Sequence, residues 1–258
     1  FWLEGAIENQ FIGEQNKDVA LFCLTFIRDM KTTLTIPILL RFYEEYSSSG
    51  NFLEFLEAIK AVTAFLALWR GYHGGTSQID NVFREIMSKG SKHIPDAIAV
   101  KKGLKNKNKM PSAAQLKEYL KSYLKGRDAL DKDRWIKGVA IQPLYRTSKI
   151  LCRFLLFVAS SNTCIDNDGK TLVRGRGGAF KDYLNLDSWN NKNFSTIEHV
   201  APQTRGQSDW PNDIYVEAYM VDSIGNLSLL PERENSMVGN GSWAYKKLYY
   251  AAFSANTA

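Results

Sequence analysis

Cysteine is scarce in this chain of 258 residues, and the three that occur (Cys23, Cys152 and Cys164) form no CxxC pair. An odd count without pairing excludes a disulfide framework, so the thiols read as small hydrophobes in a reducing cytoplasm. Long apolar runs are missing as well. The longest, such as Phe154 to Ala159, have six residues, far from the roughly 18 that a membrane helix needs. No membrane span is expected, and no secretory signal. No internal repeat is visible. The chain also opens at Phe1 without a methionine, inside a helical-looking stretch, so we expect a fragment of something larger, with N-terminal domains missing.

What is present is ample apolar material. With 45% hydrophobic and 12% aromatic residues, the chain can bury real cores and is not disordered as a whole. Its length suits two domains better than one. The formal charge of +6 and pI of about 9.1 fit a polyanionic partner, though basic charge of this size is weak support by itself.

Residues 1 to about 160 read as helical. Lys17–Lys31 and Thr35–Tyr46 suggest two helices, with Pro37 tolerated in a first turn. Asn51 and Glu54 look like a helix start, leading into Phe52, Phe55, Leu56, Ile59, Val62, Thr63 and Leu66 at helical spacing. The glycines from 71 to 75 read as a break. Further helices are expected through Ile79–Ile86, near Ala113–Leu124 and over Leu144–Ala159. Within the last of these, Ile150–Ala159 is apolar almost all round, with only Arg153 charged, and is assigned to the centre of the helical core. Between them, Lys89 to Lys109 carries seven lysines and one acid. That pattern suits a solvated loop, or an arm touching phosphates.

Past Ser160 the composition changes. Turn-rich polar stretches (Asp166-Asn167-Asp168-Gly169 and Arg174-Gly175-Arg176-Gly177-Gly178) come first. Aromatics and asparagines follow, with Trp189, Trp210 and Trp243 all in the last seventy residues. We therefore expect a helical domain over residues 1–160 and a small α+β domain over 161–258.

The chemistry concentrates in Thr196-Ile197-Glu198-His199-Val200-Ala201-Pro202-Gln203, in Gly225-Asn226-Leu227-Ser228-Leu229-Leu230, and at Asn235. Phe194–Val200 reads as a strand stopped by Pro202, and Gly225–Leu230 as a second strand stopped by Pro231. Pro231–Gly239 reads as a turn, with capping by Asn240, and Gly241–Phe253 as a helix. Glu198 and His199 are neighbours, so on a regular strand they face opposite sides. A bulge or a strand end would let both reach one site. A carboxylate, an imidazole and two carboxamides suit a one-metal phosphodiesterase centre. Oxygen ligands without a Cys/His cluster favour Mg²⁺ or Mn²⁺ over structural zinc.

These residues resemble the ββα-metal (HNH) nuclease superfamily. Within it, Ile-Glu-His-Val-x-Pro-Gln, Ile-Gly-Asn-Leu-Ser-Leu-Leu, Glu-Asn and a helix with Lys246-Lys247 look most like the C-terminal nuclease domain of GmrSD-type, type IV modification-dependent restriction enzymes, including SspE-like phosphorothioate-sensing defence proteins. Leu68-Trp69-Arg70-Gly71 is similar to the middle region of the same enzymes, less specifically. The resemblance implies that His199 is the general base, that Asn226 orients it, and that Glu198 and Asn235 bind the Mg²⁺ or Mn²⁺. It also implies a DNA substrate, modified or foreign, a defensive role in the bacterial cytoplasm, and a preceding nucleotide-hydrolysing domain as partner. Both later signature positions are Asn here, and the acid is Glu where many relatives carry Asp. Beside this, Arg174, Arg176, Lys246 and Lys247 are candidate contacts to DNA phosphates. His73 and His93 receive no role. The rival readings are a catalytically idle DNA-binding module and a protein-interaction scaffold.

Overall fold

In the computed structural model, which describes residues 11–88, 110–128, 130–166, 168, 172–175 and 182–257, packing divides the chain into two units between Ile136 and Lys137. The lysine-rich segment 89–109, with His93, and Arg176 lie outside the described residues.

The first unit is built around one long helix. In chain order its helices are α1 (Lys17–Asp29), α2 (Ile36–Ser49), α3 (Phe52–His73), α4 (Ile79–Ser88), α5 (Ala113–Asp128) and the start of α6 (Lys132–Ala140). Helix α3 packs against α1, α2 and α5. It buries Phe55, Ile59, Val62, Phe65, Leu66 and Trp69 among others, so its apolar residues surround the axis instead of forming one stripe. Its start follows the sequence signal, since the Asn51 side chain accepts a hydrogen bond from the Glu54 N–H at 3.3 Å. Its end comes later than expected. The helix runs through Gly71 and stops only at Gly74, which takes the left-handed conformation (φ 67°) and returns its N–H to the Arg70 carbonyl at 2.9 Å. Gly71 serves packing instead. A Cβ there would lie 3.2 Å from the Trp135 ring, whose indole N–H donates to the Leu68 carbonyl at 2.9 Å.

The second unit contains α7 (Leu144–Thr147), α8 (Lys149–Ser160), β1 (Thr163–Ile165), β2 (Leu172–Arg174), α9 (Leu186–Asn190), β3 (Thr196–His199), β4 (Leu227–Leu230), α10 (Glu232–Val238) and α11 (Trp243–Thr257). The composition change near residue 160 falls inside this unit. The apolar helix expected over Leu144–Ala159 is broken at Ser148, whose side chain caps α8 by accepting from Leu151 N–H at 3.2 Å. It is not the centre of the first unit's core, because α8 packs on β4. Arg153, in the middle of the helix, fastens it there: Nε donates to the Phe194 carbonyl at 2.9 Å, a terminal nitrogen donates to the Trp189 carbonyl, and the guanidinium lies 4.5 Å from the Trp189 ring centroid.

Two antiparallel hairpins follow. Strands β1 and β2 pair Thr163 with Arg174 through Ile165 with Leu172, in a stretch whose polar turns hid it from the sequence reading. Strands β3 and β4 pair Thr196 with Leu230, Ile197 with Leu229, Glu198 with Ser228 and His199 with Leu227, in unbroken register. The segment after Pro231, expected as a turn, is helix α10. Pro231 sits at its N-cap with Glu232 and Glu234 in the first turn, where a fixed φ and acidic side chains both favour helix initiation. Strand, strand and helix thus follow one another, with α10 against β3.

Candidate functional site

Because β3 is regular, its side chains alternate. Thr196 and Glu198 face α10 and α11, while His199 faces α7 and the segment before β4. No bulge unites Glu198 with His199, and the two build separate arrangements.

On the first face, Glu198 is buried and its Oε1 accepts from Lys246 Nζ at 2.5 Å and from the Tyr250 hydroxyl at 3.3 Å. Lys246 Nζ also donates to the His199 carbonyl at 2.7 Å. Lys246 is 0% exposed. The expected phosphate contact by Lys246 is therefore corrected: its ammonium is the partner of Glu198 inside the fold. Lys247, the next residue on α11, is exposed. Burial outweighs Lys246 and raises the Glu198 pKa above its ordinary value. Asn235 lies on α10, where its Nδ2 donates to Thr196 Oγ1 at 3.0 Å, and that hydroxyl donates to the Leu230 carbonyl at 2.7 Å. Asn235 thereby ties the helix to the hairpin.

On the opposite face, His199 Nε2 lies 3.1 Å from Asp222 Oδ1. Asp222 is fully buried, in a 3₁₀ turn at Met220–Asp222. The same Oδ1 accepts from Gln203 Nε2 at 2.8 Å, and Oδ2 faces the Arg146 guanidinium in an ion pair. The imidazole ring meets the Tyr145 ring edge-on, centroids 4.4 Å apart. Its side chain keeps 11% exposure. Desolvation lowers the His199 pKa; the Asp222 hydrogen bond and charge pull the other way, and Lys246 and Lys149 add to the lowering.

Asn226 does not hold the imidazole. Its Oδ1 accepts from Ala201 N–H at 2.7 Å, and its Nδ2 donates to the Ala201 and Val221 carbonyls, each at 2.9 Å. It clamps the chain just beyond His199 to the chain just before Asp222. The orienting group is Asp222, which the sequence reading missed. A lone aspartate in Met-Val-Asp-Ser carries no local signal. Tyr145 and Arg146 were missed because they precede an apolar helix assigned to another core. Arg174, expected at DNA, donates to the carbonyls of Ser161 (3.1 Å) and Val158 (2.9 Å), closing the C-terminus of α8.

A hard divalent cation takes oxygen ligands, commonly including one or two carboxylates free to face it. Glu198 is neutralised by Lys246, Asp222 is engaged by His199, Gln203 and Arg146, and Asn235 lies across the strand from the imidazole. Among the described residues no three His, Cys, Asp or Glu side chains group as a metal site. As placed, these side chains do not fit an ion that His199 also serves. What they form is a buried carboxylate fixing one nitrogen of a partly exposed imidazole whose pKa burial lowers.

Residues 165–257 match the family described as GmrSD restriction endonucleases, C-terminal domain. The match supports the resemblance of the C-terminal region to GmrSD-type enzymes. It begins at the end of β1, downstream of α7 and α8, which supply Tyr145 and Arg146. No curated protein matches the chain.

Proposed function

We propose that the second unit is a DNA endonuclease of the HNH kind, with His199 as general base, and that it belongs to a modification-dependent defence protein. The observation that carries the reading is the Asp222–His199 contact within a segment matching the C-terminal domain of restriction endonucleases. An imidazole works as a base when one nitrogen is held as a donor and the other is left to accept. With Nε2–H directed at Asp222, Nδ1 is the accepting nitrogen. A water proton passes to Nδ1 as the water oxygen attacks phosphorus. The bond from phosphorus to the leaving sugar oxygen breaks, and that oxygen takes a proton from solvent. A positioned base of this type contributes roughly 10²–10⁴-fold in rate.

One such centre cuts one strand, so the expected product is a nick. DNA is the substrate that the resemblance implies, with a nucleotide-hydrolysing domain elsewhere in the same protein. The resemblance further implies Mg²⁺ or Mn²⁺. Coordination by Glu198 would require its release from Lys246, and titration of nicking with EDTA reads whether a divalent ion is needed. Conversion of supercoiled plasmid to open circles, compared between wild type and His199→Ala, tests the reading. Loss of nicking in the variant supports it, and equal nicking removes His199 from the chemistry. The engaged state of both buried carboxylates favours one alternative, an idle DNA-binding module. Wild-type protein that binds DNA but never nicks would establish that alternative.

A further inference from the structure

The nuclease reading leaves the attacked phosphate short of cationic partners. Lys246 is buried against Glu198, and Arg174 is occupied at the end of α8. Two other cations stand beside His199, at the junction of α7 and α8. Arg146 reaches Asp222, the carboxylate that holds the imidazole, yet its side chain remains 61% exposed. That contact uses Nε, and a guanidinium carries four more N–H donors on its terminal nitrogens. Lys149 is exposed, with Nζ 4.6 Å from the Tyr145 ring centroid. The same ring packs against His199, so the ammonium and the imidazole share one aromatic neighbour. Among the described residues Lys149 has no carboxylate partner.

We propose that Arg146 and Lys149 form a phosphate-binding subsite for the nucleic-acid backbone next to His199. Its place beside a reacting phosphate rests on the nuclease reading; its capacity to bind does not. Asp222 is the one carboxylate paired here, and of the two cations it meets only Arg146, in addition to the imidazole. Cations placed in this way neutralise phosphates and release the counterions condensed on the nucleic acid. The two cations differ in kind. Arg146 is aimed by a buried carboxylate and presents a planar fork suited to two phosphate oxygens. Lys149 is a point charge steadied by an aromatic face. Tyr145 lies against both Lys149 and the imidazole, while Arg146 meets the carboxylate that holds the imidazole, so the two cations flank His199 through different neighbours. The subsite also extends the working unit upstream of the matched segment 165–257.

The test uses the full chain and a short fluorescent DNA duplex in EDTA, with anisotropy read across a salt series. Lys149→Gln, Arg146→Gln, the double variant and Lys60→Gln (an exposed lysine of the first unit) are compared with wild type. Lys149→Gln is the main probe, because removing Arg146 also deprives Asp222 of a partner; thermal melts check that each variant folds. We expect Lys149→Gln to weaken binding several-fold and to lower the log–log salt slope by about 1, the double variant to lower it by about 2, and Lys60→Gln to leave it unchanged. Unchanged slopes in both Lys149→Gln and the double variant overturn the subsite, as does a wild type that binds no duplex. Reduced slopes in a protein that never nicks keep the subsite and overturn the nuclease reading. Unchanged slopes in a protein that nicks through His199 do the reverse.

Discussion

The two units bury different things. Among the described residues, the buried polar side chains of the first unit are all threonines (Thr25, Thr32, Thr35 and Thr63), set in a core of Phe, Ile, Leu and Trp. The three charged residues buried among the described ones, Glu198, Asp222 and Lys246, belong to the second unit. Apolar burial gains stability in proportion to area and tolerates approximate placement. A buried charge is tolerated only where a partner sits within hydrogen-bond reach. Stability in the first unit therefore rests on volume, and in the second on particular pairs around one hairpin. Such pairs are also what orients an imidazole.

The contrast is sharpest in Lys246→Met. Leaving the Glu198 carboxylate buried without its cation should cost about 3–5 kcal/mol, read by chemical denaturation at neutral pH. A protonated Glu198 needs no cation. Its folded pKa lies above the ordinary 4.5, so the loss should be present at neutral pH and shrink as pH falls through the folded value. Trp69→Ala in the first unit should cost a similar amount, about 3–5 kcal/mol, with no such recovery at low pH. Equal pH behaviour in the two variants would erase the distinction between the units.

Asn226→Ala removes three hydrogen bonds to backbone atoms and should cost about 2–4 kcal/mol. A variant of wild-type stability that no longer nicks would return Asn226 to the chemistry. Asn235→Ala removes one bond between α10 and Thr196, for about 1 kcal/mol. A shift in the Mg²⁺ needed for half-maximal nicking, at unchanged stability, would make Asn235 a ligand after all. The smallest effect concerns pH. Because burial holds the His199 pKa below its ordinary 6.5, nicking should be half-maximal below pH 6.5. Asp222→Asn deletes the charge that opposes this lowering, so the midpoint should move further down. An upward move would show that Asp222 does not act on the imidazole.

Much of the fold was legible because it is local. The Asn51 cap, the helical spacing from Phe52 to Leu66, and the strands ending at Pro202 and Pro231 each follow from a few neighbouring residues. Misreadings arose where a local signal served a distant partner. Gly71 looked like a break because glycine weakens helices, but it makes room for Trp135, more than sixty residues away in the chain. Asn235 looked like a turn residue because Glu-Asn-Ser has no apolar period. Leu144–Ala159 looked like the first unit's core because apolarity does not say which surface it meets.

The order of two strands and a final helix around His199 was legible from sequence alone, as was the opposition of neighbours on a regular strand, although Glu198 and His199 were assigned to one site. These features follow from side-chain types and from a strand's period of two. The partners were decided only when the chain folded. Lys246 meets Glu198 from a helix 48 positions on, Asp222 and Tyr145 reach His199 from two separate stretches, and Arg146 reaches Asp222. No spacing rule links these positions, because a charge accepts any complement that packing brings within about 3 Å.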